Sequence, residues 1–498
     1  MNSLMKLWRW IDNNLLTLLL ASFIFIIPLY PKFPLRVVNY TYVAIRVDDL
    51  YVGLLYIVFL LQLFRKKVRL NTLFLKLFIL FWLAVFASFV VGAYVSHTLV
   101  YKQLAFFHSL RRVEYMGIFF VVLSSILSPK LAKKLIDLLV AVLLIVCIYG
   151  IGQKFFGWPA VQTMNPEYAK GYLLFLTSEA RISATFSGHY DLAAYLVFLI
   201  PLVLGLYFAH QKKWYYLTFL LAFGTLVLTA ARSSFVAYLI TIIGFLLVIK
   251  KPKHLIFILI LTAVLTLLNK NLSSRIARTF QVKQIFVNEQ TGQVVVPQRI
   301  STKEVPAGSF YIPIKRDHGS PTVDDSSLAF ERIRADLRDE YAKNHKILTN
   351  SEEIRLAATI AAGLKPINTV VSDISFATRL QVEWPRAIGA FLKNPLFGTG
   401  PSSITESTDN DFLRMLGEVG LAGGLSFLAI FMAIVKYLSV HLPPKSDRRR
   451  SIYLGFLFGI GALVINAGYI DVFEASKVAY YFWLSSALMI ASLAKNNV

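Results

Sequence analysis

The sequence predicts an all-α polytopic membrane protein with about twelve transmembrane helices. Three observations lead to this fold class. The chain of 498 residues is 56% hydrophobic and only 16% charged, with a mean hydropathy of +0.61, which is too apolar for an ordinary soluble enzyme. Apolar runs of the length of a membrane span recur along the chain, and basic residues fall in every second connection between them.

The apolar runs set the number of predicted spans. A helix needs about 20 mostly apolar residues to cross the hydrocarbon layer. The fourth run is short unless it begins before Arg111, and only Ala230 to Ser233 separate the seventh from the eighth. The runs lie near residues 14–30, 49–65, 72–95, 110–128, 132–156, 189–209, 214–231, 233–249, 253–269, 412–440, 452–470 and 477–494.

The basic residues predict the orientation of these spans. Short cytoplasmic loops are rich in Lys and Arg, so their alternation predicts an even span count with both termini cytoplasmic. Membrane orientation thereby accounts for the net charge of +23, and no nucleic-acid partner is expected. The residues concerned are Lys6, Arg9, Arg65, Lys66, Lys67, Arg69, Lys130, Lys133, Lys134, Lys212, Lys213, Lys250, Lys251, Lys253, Lys445, Arg448, Arg449, Arg450 and Lys495.

The hydropathy pattern divides the chain into four parts. Residues 1–269 hold the first nine spans, and 412–498 hold the last three. Residues 270–378 are too polar for the bilayer, so we expect a mostly helical extracytoplasmic soluble subdomain between spans nine and ten. Residues 379–411 are expected to be an extracytoplasmic active-site segment.

Local patterns predict the contents of the 270–378 subdomain. A hairpin is expected between Val282–Val287 and Gln293–Val296. The helical spacing of Phe330, Ile333, Leu337 and Tyr341 predicts one helix. Asn350 and Glu353 resemble a capping box that opens a second helix, which fades near Gly363.

Three arginines on the predicted outer side are the first candidate functional residues. Arg181 precedes the sixth span, Arg232 lies in the bend before the eighth, and Arg379 follows the soluble subdomain. Arginine is costly inside a bilayer, and its planar fork of donors suits phosphate oxygens. Together the three would make a diphosphate clamp; the alternative is interfacial snorkelling against lipid headgroups.

Further basic residues face the same predicted side. Arg111 and Arg112 either hold a structural ion pair with Glu114 or add to the same basic pocket. His189, at the outer end of the sixth span, is either a substrate-binding residue or a hydrogen-bonded interfacial side chain. We keep all three as substrate-binding candidates.

The loop before the tenth span supplies the acidic candidates. Asp409 and Asp411 flank Asn410, and either carboxylate could act as a general base on a hydroxyl. One alternative is a helix N-cap, which needs only one of them. A second is a metal-binding Asp-Asn-Asp, but no His or Glu accompanies it closely, and the only cysteine, Cys147, lies in a predicted span. We therefore predict no metal and no cofactor.

These residues together resemble the O-antigen ligase and polymerase superfamily of bacterial membrane glycosyltransferases, over about Gly157 to Tyr437. Each motif is short, and their order along about twelve spans carries the resemblance. The motifs are Arg181 with Phe186 through Tyr195, Thr229-Ala-Ala-Arg232-Ser-Ser, Arg379 with Trp384, Pro395 and Gly398-Thr-Gly400, and Asp409-Asn410-Asp411-Phe-Leu with Glu418, Gly420 and Gly423.

The resemblance implies a function in the cell envelope. It implies transfer or polymerisation of a glycan from a polyprenyl (undecaprenyl) pyrophosphate carrier to a hydroxyl of a glycan, lipid or protein acceptor. The transfer would be metal-independent and inverting, in a cavity open to the outer face of the bacterial cytoplasmic membrane. The family's ligases usually carry His-Asn where this chain has Asp409-Asn410, so Asp409 would take the role proposed for that histidine.

These inferences assign a role to each candidate residue. Asp409, Arg379 and Arg181 are the predicted catalytic residues; Arg232, Arg111, Arg112, His189, Asn410 and Asp411 are predicted to bind the pyrophosphate or glycan.

Two other functions remain open at this point. One is a transporter or flippase for the same lipid-linked glycan, and the other is an inactive relative that serves as a scaffold. Transporters often show repeated halves and charges deep in their spans. Here the charges gather on one face and no repeat is visible, which favours an enzyme.

Overall fold

A computed structural model describes most of the chain. The described residues are 2–37, 44–126, 128–161, 173–177, 180–277, 280–288, 294–295, 330–331, 333–335, 337–338, 341, 349–362, 364–372, 379–404 and 408–493. They form two compact units, one from residues 1–273 with 378–498 and the other from residues 274–377.

The larger unit is a helical bundle with one short β-ribbon. Each of the twelve apolar runs of the sequence corresponds to one helix, and the fourth begins at Lys102, well before Arg111. The elements are α1 (Asn2–Leu29), β1 (Pro34–Val37), β2 (Ala44–Arg46), α2 (Val47–Phe64), α3 (Leu75–Val90, extended by a π-helical turn Val91–Val95), α4 (Lys102–Ser125), α5 (Pro129–Phe155), α6 (His189–His210), α7 (Lys213–Thr229), α8 (Arg232–Val248), α9 (Pro252–Leu268) and α10 (Lys270–Ala277). After the second unit follow a π-helical turn (Arg379–Glu383), α12 (Trp384–Lys393), α13 (Asp411–Val440), α14 (Arg450–Ala467) and α15 (Ser476–Leu493).

The helices of this unit make the chain an integral membrane protein. Seven helices of the described residues are long and apolar enough to cross a membrane: Trp10–Leu29, Val47–Phe64, Leu75–Val95, Pro129–Phe155, His189–His210, Asp411–Val440 and Arg450–Ala467. Helices α7, α8 and α9 are apolar but have only 17 residues each. Large apolar side chains project outward from the bundle, such as Phe64 on α2 at 82% exposure. Lipid solvates such a surface, whereas water would not.

The centre of the bundle is α6, which packs closely on α14. Most side chains of α6 are buried. Gly455 and Gly459 of α14 lie so near the backbone of α6 that an added Cβ would come within 2.3 Å of the Pro201 carbonyl oxygen and 2.2 Å of that of Phe198. Such small residues let membrane helices approach each other closely.

The connections between the helices sort to two ends of the bundle. At one end, Lys32 Nζ donates to Ser476 Oγ at 2.8 Å, and Thr98 Oγ1 donates to the Thr399 carbonyl at 2.5 Å. These contacts join connections that the sequence places on the outer side. At the other end, Arg65 pairs with Asp12 at 2.8 Å. Each of these three contacts joins segments that the charge alternation assigns to one side.

The smaller unit contains a three-stranded antiparallel sheet, β4–β3–β5. Strands β3 (Phe280–Asn288) and β4 (Val294–Val295) pair through Val287 and Val294, which confirms the predicted hairpin. Strand β5 (Leu364–Ser372) pairs with β3 along its whole length and was not predicted. Proline is disfavoured inside a sheet because it lacks an amide hydrogen. Strand β5, which contains Pro366, lies at the sheet edge, where a proline is tolerated.

Helical segments accompany this sheet. Helix α11 (Asn350–Ala362) ends where the sequence predicted, and its Ala357 is buried with Ile333 and Leu337 of the preceding helical residues. The capping box lies one residue earlier than predicted: the Thr349 amide donates to Glu352 at 3.0 Å. Glu353 instead accepts from Arg334 and Arg338, each at 2.8 Å.

Candidate active site

The candidate site is built around a kink in α13. At Gly420 the backbone leaves the helical region, with φ 66° and ψ −165°. This break removes helical hydrogen bonds from the backbone nearby, and such buried groups need other partners. Residues 395–400 supply them through four backbone bonds: Thr399 N to Gly417 O, Gly400 N to Glu418 O, Leu421 N to Pro395 O and Ala422 N to Leu396 O, at 2.8–3.0 Å.

Alanine at Gly420 should destabilise this arrangement. Its φ and ψ are accessible essentially only to glycine, and a Cβ would lie 2.5 Å from the Leu396 carbonyl carbon. We expect Gly420→Ala to cost about 1–3 kcal/mol from the backbone alone, with a further cost from the overlap. The midpoint of thermal unfolding in detergent measures this loss of stability. Gly224→Ala on α7, where a Cβ meets nothing within 4 Å, is the matched control, and equal midpoints would contradict the prediction.

The loop before α13 is held by one carboxylate. Asp471 accepts hydrogen bonds from the backbone amides of Thr408 and Asp409 at 3.1 Å and of Asn410 at 3.0 Å. Arg414 Nη2 also donates to Asp471, at 2.8 Å. Asp409 adopts φ +48°, a left-handed conformation that Asp tolerates better than most residues. Asp471 thus fixes the direction of the Asp409 side chain.

The three residues 409–411 have separate partners. Asn410 is the N-cap of α13, since its Oδ1 accepts from the amides of Phe412 and Leu413 at 3.1 and 3.0 Å. Asp411 is buried and accepts from the Val472 amide at 2.6 Å. Asp409 alone turns toward an arginine. This divergence does not favour the Asp-Asn-Asp metal alternative, and the described residues contain no group of three or more His, Cys, Asp or Glu that could hold a metal ion.

Arg379 is the partner of Asp409. Its Nη2 lies 2.5 Å from Asp409 Oδ2, and its Nε donates to the Tyr469 carbonyl at 3.2 Å. The guanidinium also stacks over the Tyr469 ring, 4.5 Å from the centroid. The Arg379 side chain is only 3% exposed, whereas that of Asp409 is 28% exposed. The pair therefore presents its carboxylate outward and its cation inward.

Arg181 lies in the same region, across Tyr190. Arg181 is buried, with its Cζ 5.4 Å from the Tyr190 ring centroid, and Tyr190 is also part of the electrostatic surroundings of Arg379. The loop that carries Arg181 is anchored by the buried Gln153, which donates to the Ala184 carbonyl and accepts from the Ala184 amide, both at 2.8 Å. Tyr190 thus contacts Arg181 and contributes to the electrostatic surroundings of Arg379.

Arg232 and His189 occupy helix N-termini. Arg232 is half-buried and is the first residue of α8, and Ser234, two residues later, donates to Asn466 Oδ1 of α14 at 3.1 Å. His189 is buried at the start of α6, its ring centroid 4.1 Å from that of Tyr190. His189 therefore adjoins the ring that Arg181 covers.

Arg111 and Arg112 are engaged with carboxylates of the protein. Arg112 is buried, and its Nη2 lies 2.5 Å from Glu418 and 3.1 Å from Glu474. Burial by itself raises the pKa of Glu474, but Arg112 and Arg414 together lower it to about 2. Arg111 lies 4.0 Å from Asp49. These contacts favour the structural ion-pair interpretation over a role in the basic pocket, although the partners are Glu418, Glu474 and Asp49, while Glu114 accepts from Tyr480.

Glu383 was not predicted from the sequence. This residue ends the π-helical turn that Arg379 begins, and it lies in the electrostatic field of Asp409 and Asp471. Burial first, and then Asp409, raise the pKa of Glu383 to about 7. Its only signal in the sequence is the spacing of four residues from Arg379. Tyr469 and Asp471 gave no signal, because neither belongs to a motif.

A comparison with protein families finds a match to the part of the chain that contains Arg379 and Asp409. The family model described as O-antigen ligase matches residues 217–428, from α7 into α13. This range includes Arg232, Arg379 and Asp409, but Arg181 lies before it. The match confirms the resemblance read from the sequence. A search of curated proteins found no match to the chain.

Proposed function

Because residues 217–428 match the family model described as O-antigen ligase and the chain is an integral membrane protein, we propose that the chain transfers or polymerises a glycan carried on polyprenyl (undecaprenyl) pyrophosphate. The acceptor is a hydroxyl of a glycan, lipid or protein. The observation that carries the proposal is the pair of a buried Arg379 and a partly exposed Asp409 within the matched domain, with Arg181 nearby across Tyr190.

The arginines act on the leaving group. The acceptor oxygen forms a bond to the anomeric carbon, and the bond from that carbon to the diphosphate oxygen breaks, which inverts the configuration. Arg379, Arg181 and Arg232 neutralise the charge that develops on the diphosphate. Guanidinium groups in a site of low dielectric are well suited to this stabilisation. No metal takes part in this scheme.

Asp409 acts on the acceptor. Its carboxylate is the exposed member of the ion pair and is fixed by Asp471, so it positions or deprotonates the attacking hydroxyl. Asn410 and Asp411 hold the loop that carries it, and His189 borders the glycan near Tyr190. Arg111 and Arg112 support the same end of the bundle through their carboxylate partners.

The reaction takes place at the outer face of the cytoplasmic membrane. The charge alternation supports twelve spans with both termini cytoplasmic, and it assigns residues 379–411 and the 270–378 subdomain to the outer side.

The proposal is tested by glycan transfer with purified wild-type protein and a polyprenyl-diphosphate-linked glycan. We expect a new glycosidic bond and release of polyprenyl diphosphate, in the presence of a chelator. Asp409→Asn should lower the rate by about 10²–10⁴-fold, because the neutral amide replaces the carboxylate that positions or deprotonates the attacking hydroxyl. Asp447→Asn, in the exposed pair with Arg449, is the matched control and should leave the rate unchanged.

Three results would contradict this assignment. Undiminished turnover of Asp409→Asn would remove Asp409 from the site. Loss of activity with a chelator would favour the metal alternative. Movement of the lipid across a liposome bilayer without a new glycosidic bond would identify a transporter, and absence of both activities would identify a scaffold.

A further inference from the structure

A second carboxylate lies beside the Arg379–Asp409 pair. In a π-helical turn the backbone bonds run from residue i to i+5, so residues four apart project to nearly the same side. Arg379 and Glu383 stand at the two ends of such a turn. Glu383 is half-buried, and its Oε2 is inaccessible to solvent with no hydrogen-bond partner among the residues that the structure describes.

The surroundings of Glu383 differ from those of Asp409. Asp409 makes an ion pair with a buried guanidinium, which favours its charged form and makes it a weaker proton acceptor. The charged groups around Glu383 are Arg379 on its own turn, Arg386 on α12, and Asp409 and Asp471 from the two loops. Two neighbouring carboxylates with unequal environments commonly divide the roles of proton acceptor and permanent anion.

We propose that Glu383 is the general base of the transfer, while Asp409 stays ionised and orients the acceptor. This inference rests on the proposed function. The acceptor oxygen bonds to the anomeric carbon, the diphosphate leaves with the electron pair of the broken bond, and the hydroxyl proton moves to the Glu383 carboxylate. The proton then passes to water.

The protonation behaviour of Glu383 gives the inference its signature. Burial, and next the charge of Asp409, raise the pKa of Glu383 to about 7, near the working pH at which a general base is most effective. Below this pH the carboxyl is protonated and cannot accept a proton. The wild-type kcat/KM should therefore fall about tenfold per pH unit on the acidic side.

The experiment compares pH profiles of glycan transfer for wild type, Glu383→Gln and Glu383→Asp, with the lipid-linked glycan as donor. Glu383→Gln should lower kcat by about 10²–10⁴-fold. It should also abolish the acidic limb of the profile, which is the decrease in rate toward low pH. Glu383→Asp keeps a carboxylate and should keep the limb at a reduced rate. Asp409→Asn removes the neighbouring negative charge, so its remaining activity should show the limb at lower pH. Glu331→Gln, with an exposed carboxylate in the other unit, is the matched control.

The outcomes separate this inference from the proposed function. If wild type is active and the pH profile of Glu383→Gln is the same as that of wild type, Glu383 is not the general base. The proposed transferase function would be unaffected by that result. An inactive wild type would instead contradict the proposed function. Should Glu383→Gln not fold, a wild-type profile that is flat between about pH 6 and 8 would itself overturn the inference.

Discussion

Replacing Arg379 with alanine should lower kcat/KM for glycan transfer by about 10²–10³-fold. The guanidinium is 3% exposed and lies where charge develops on the leaving diphosphate in the proposed reaction. Arg379→Lys keeps the charge but cannot contact Asp409 and the Tyr469 carbonyl with one planar fork, so we expect only partial activity. Initial rates of transfer at several donor concentrations measure both effects.

A double-mutant cycle tests whether Arg379 and Asp409 act as a unit. Since the two side chains share an ion pair, the losses of Arg379→Ala and Asp409→Asn should not add in the double variant. Arg449→Ala removes a guanidinium from an exposed pair with Asp447 and should change the rate less than twofold. Equal rates for Arg379→Ala and Arg449→Ala would show that Arg379 does not act on the leaving group.

The second large effect should be on stability. Arg112→Met removes the buried cation that Glu418 and Glu474 share, at 2.5 and 3.1 Å, and leaves Arg414 as the remaining arginine beside Glu418. Loss of one partner from a buried ion pair typically costs about 3–5 kcal/mol. We expect a large decrease in the midpoint of thermal unfolding in detergent.

The control for this prediction is a surface ion pair. Glu331→Gln affects a glutamate whose side chain is 60% exposed and paired with Arg334 at 2.9 Å. Exposed pairs contribute little, about 0–1 kcal/mol. If Arg112→Met unfolded at the same temperature as this control, the ion pairs of Arg112 would not stabilise the bundle. The alternative, that Arg112 belongs to the basic pocket, would then be favoured.

The sequence determined the helices of the bundle and much of the smaller unit. In lipid every backbone polar group needs an internal partner, so long apolar runs have few structures other than helices available to them. This is why the runs correspond to α1–α9 and α13–α15. In the smaller unit, the helical spacing of Phe330, Ile333, Leu337 and Tyr341 predicted a shared apolar face, and the four side chains pack in one cluster. Strand β5 was missed because its hydrophobic pattern is interrupted by Pro366 and Asn368, and only pairing with β3 makes it a strand.

Within the candidate site, the family resemblance selected Arg379 and Asp409, while residue spacing alone could not choose between Asp409 and Asp411. Both stand beside a helix start, where either has a capping interpretation. The tertiary structure distinguishes the two residues. Asp411 accepts hydrogen bonds from the amides of Val472 and Phe473, while Asp409 forms an ion pair with Arg379. Their difference thus lies in partners contributed by distant parts of the chain.

The tertiary structure alone decided which side chains join this pair. Asp471 orients the loop, Tyr469 covers Arg379, and Glu383 adds a second carboxylate, yet none of the three belongs to a motif. The sequence allowed Arg112 to belong either to a structural ion pair or to the basic pocket. In the folded chain, its guanidinium forms ion pairs with Glu418 and Glu474. Hydropathy and loop charge act locally and can be read along the chain. The partner of a buried charge depends on segments up to several hundred residues apart in sequence, so only packing fixes it.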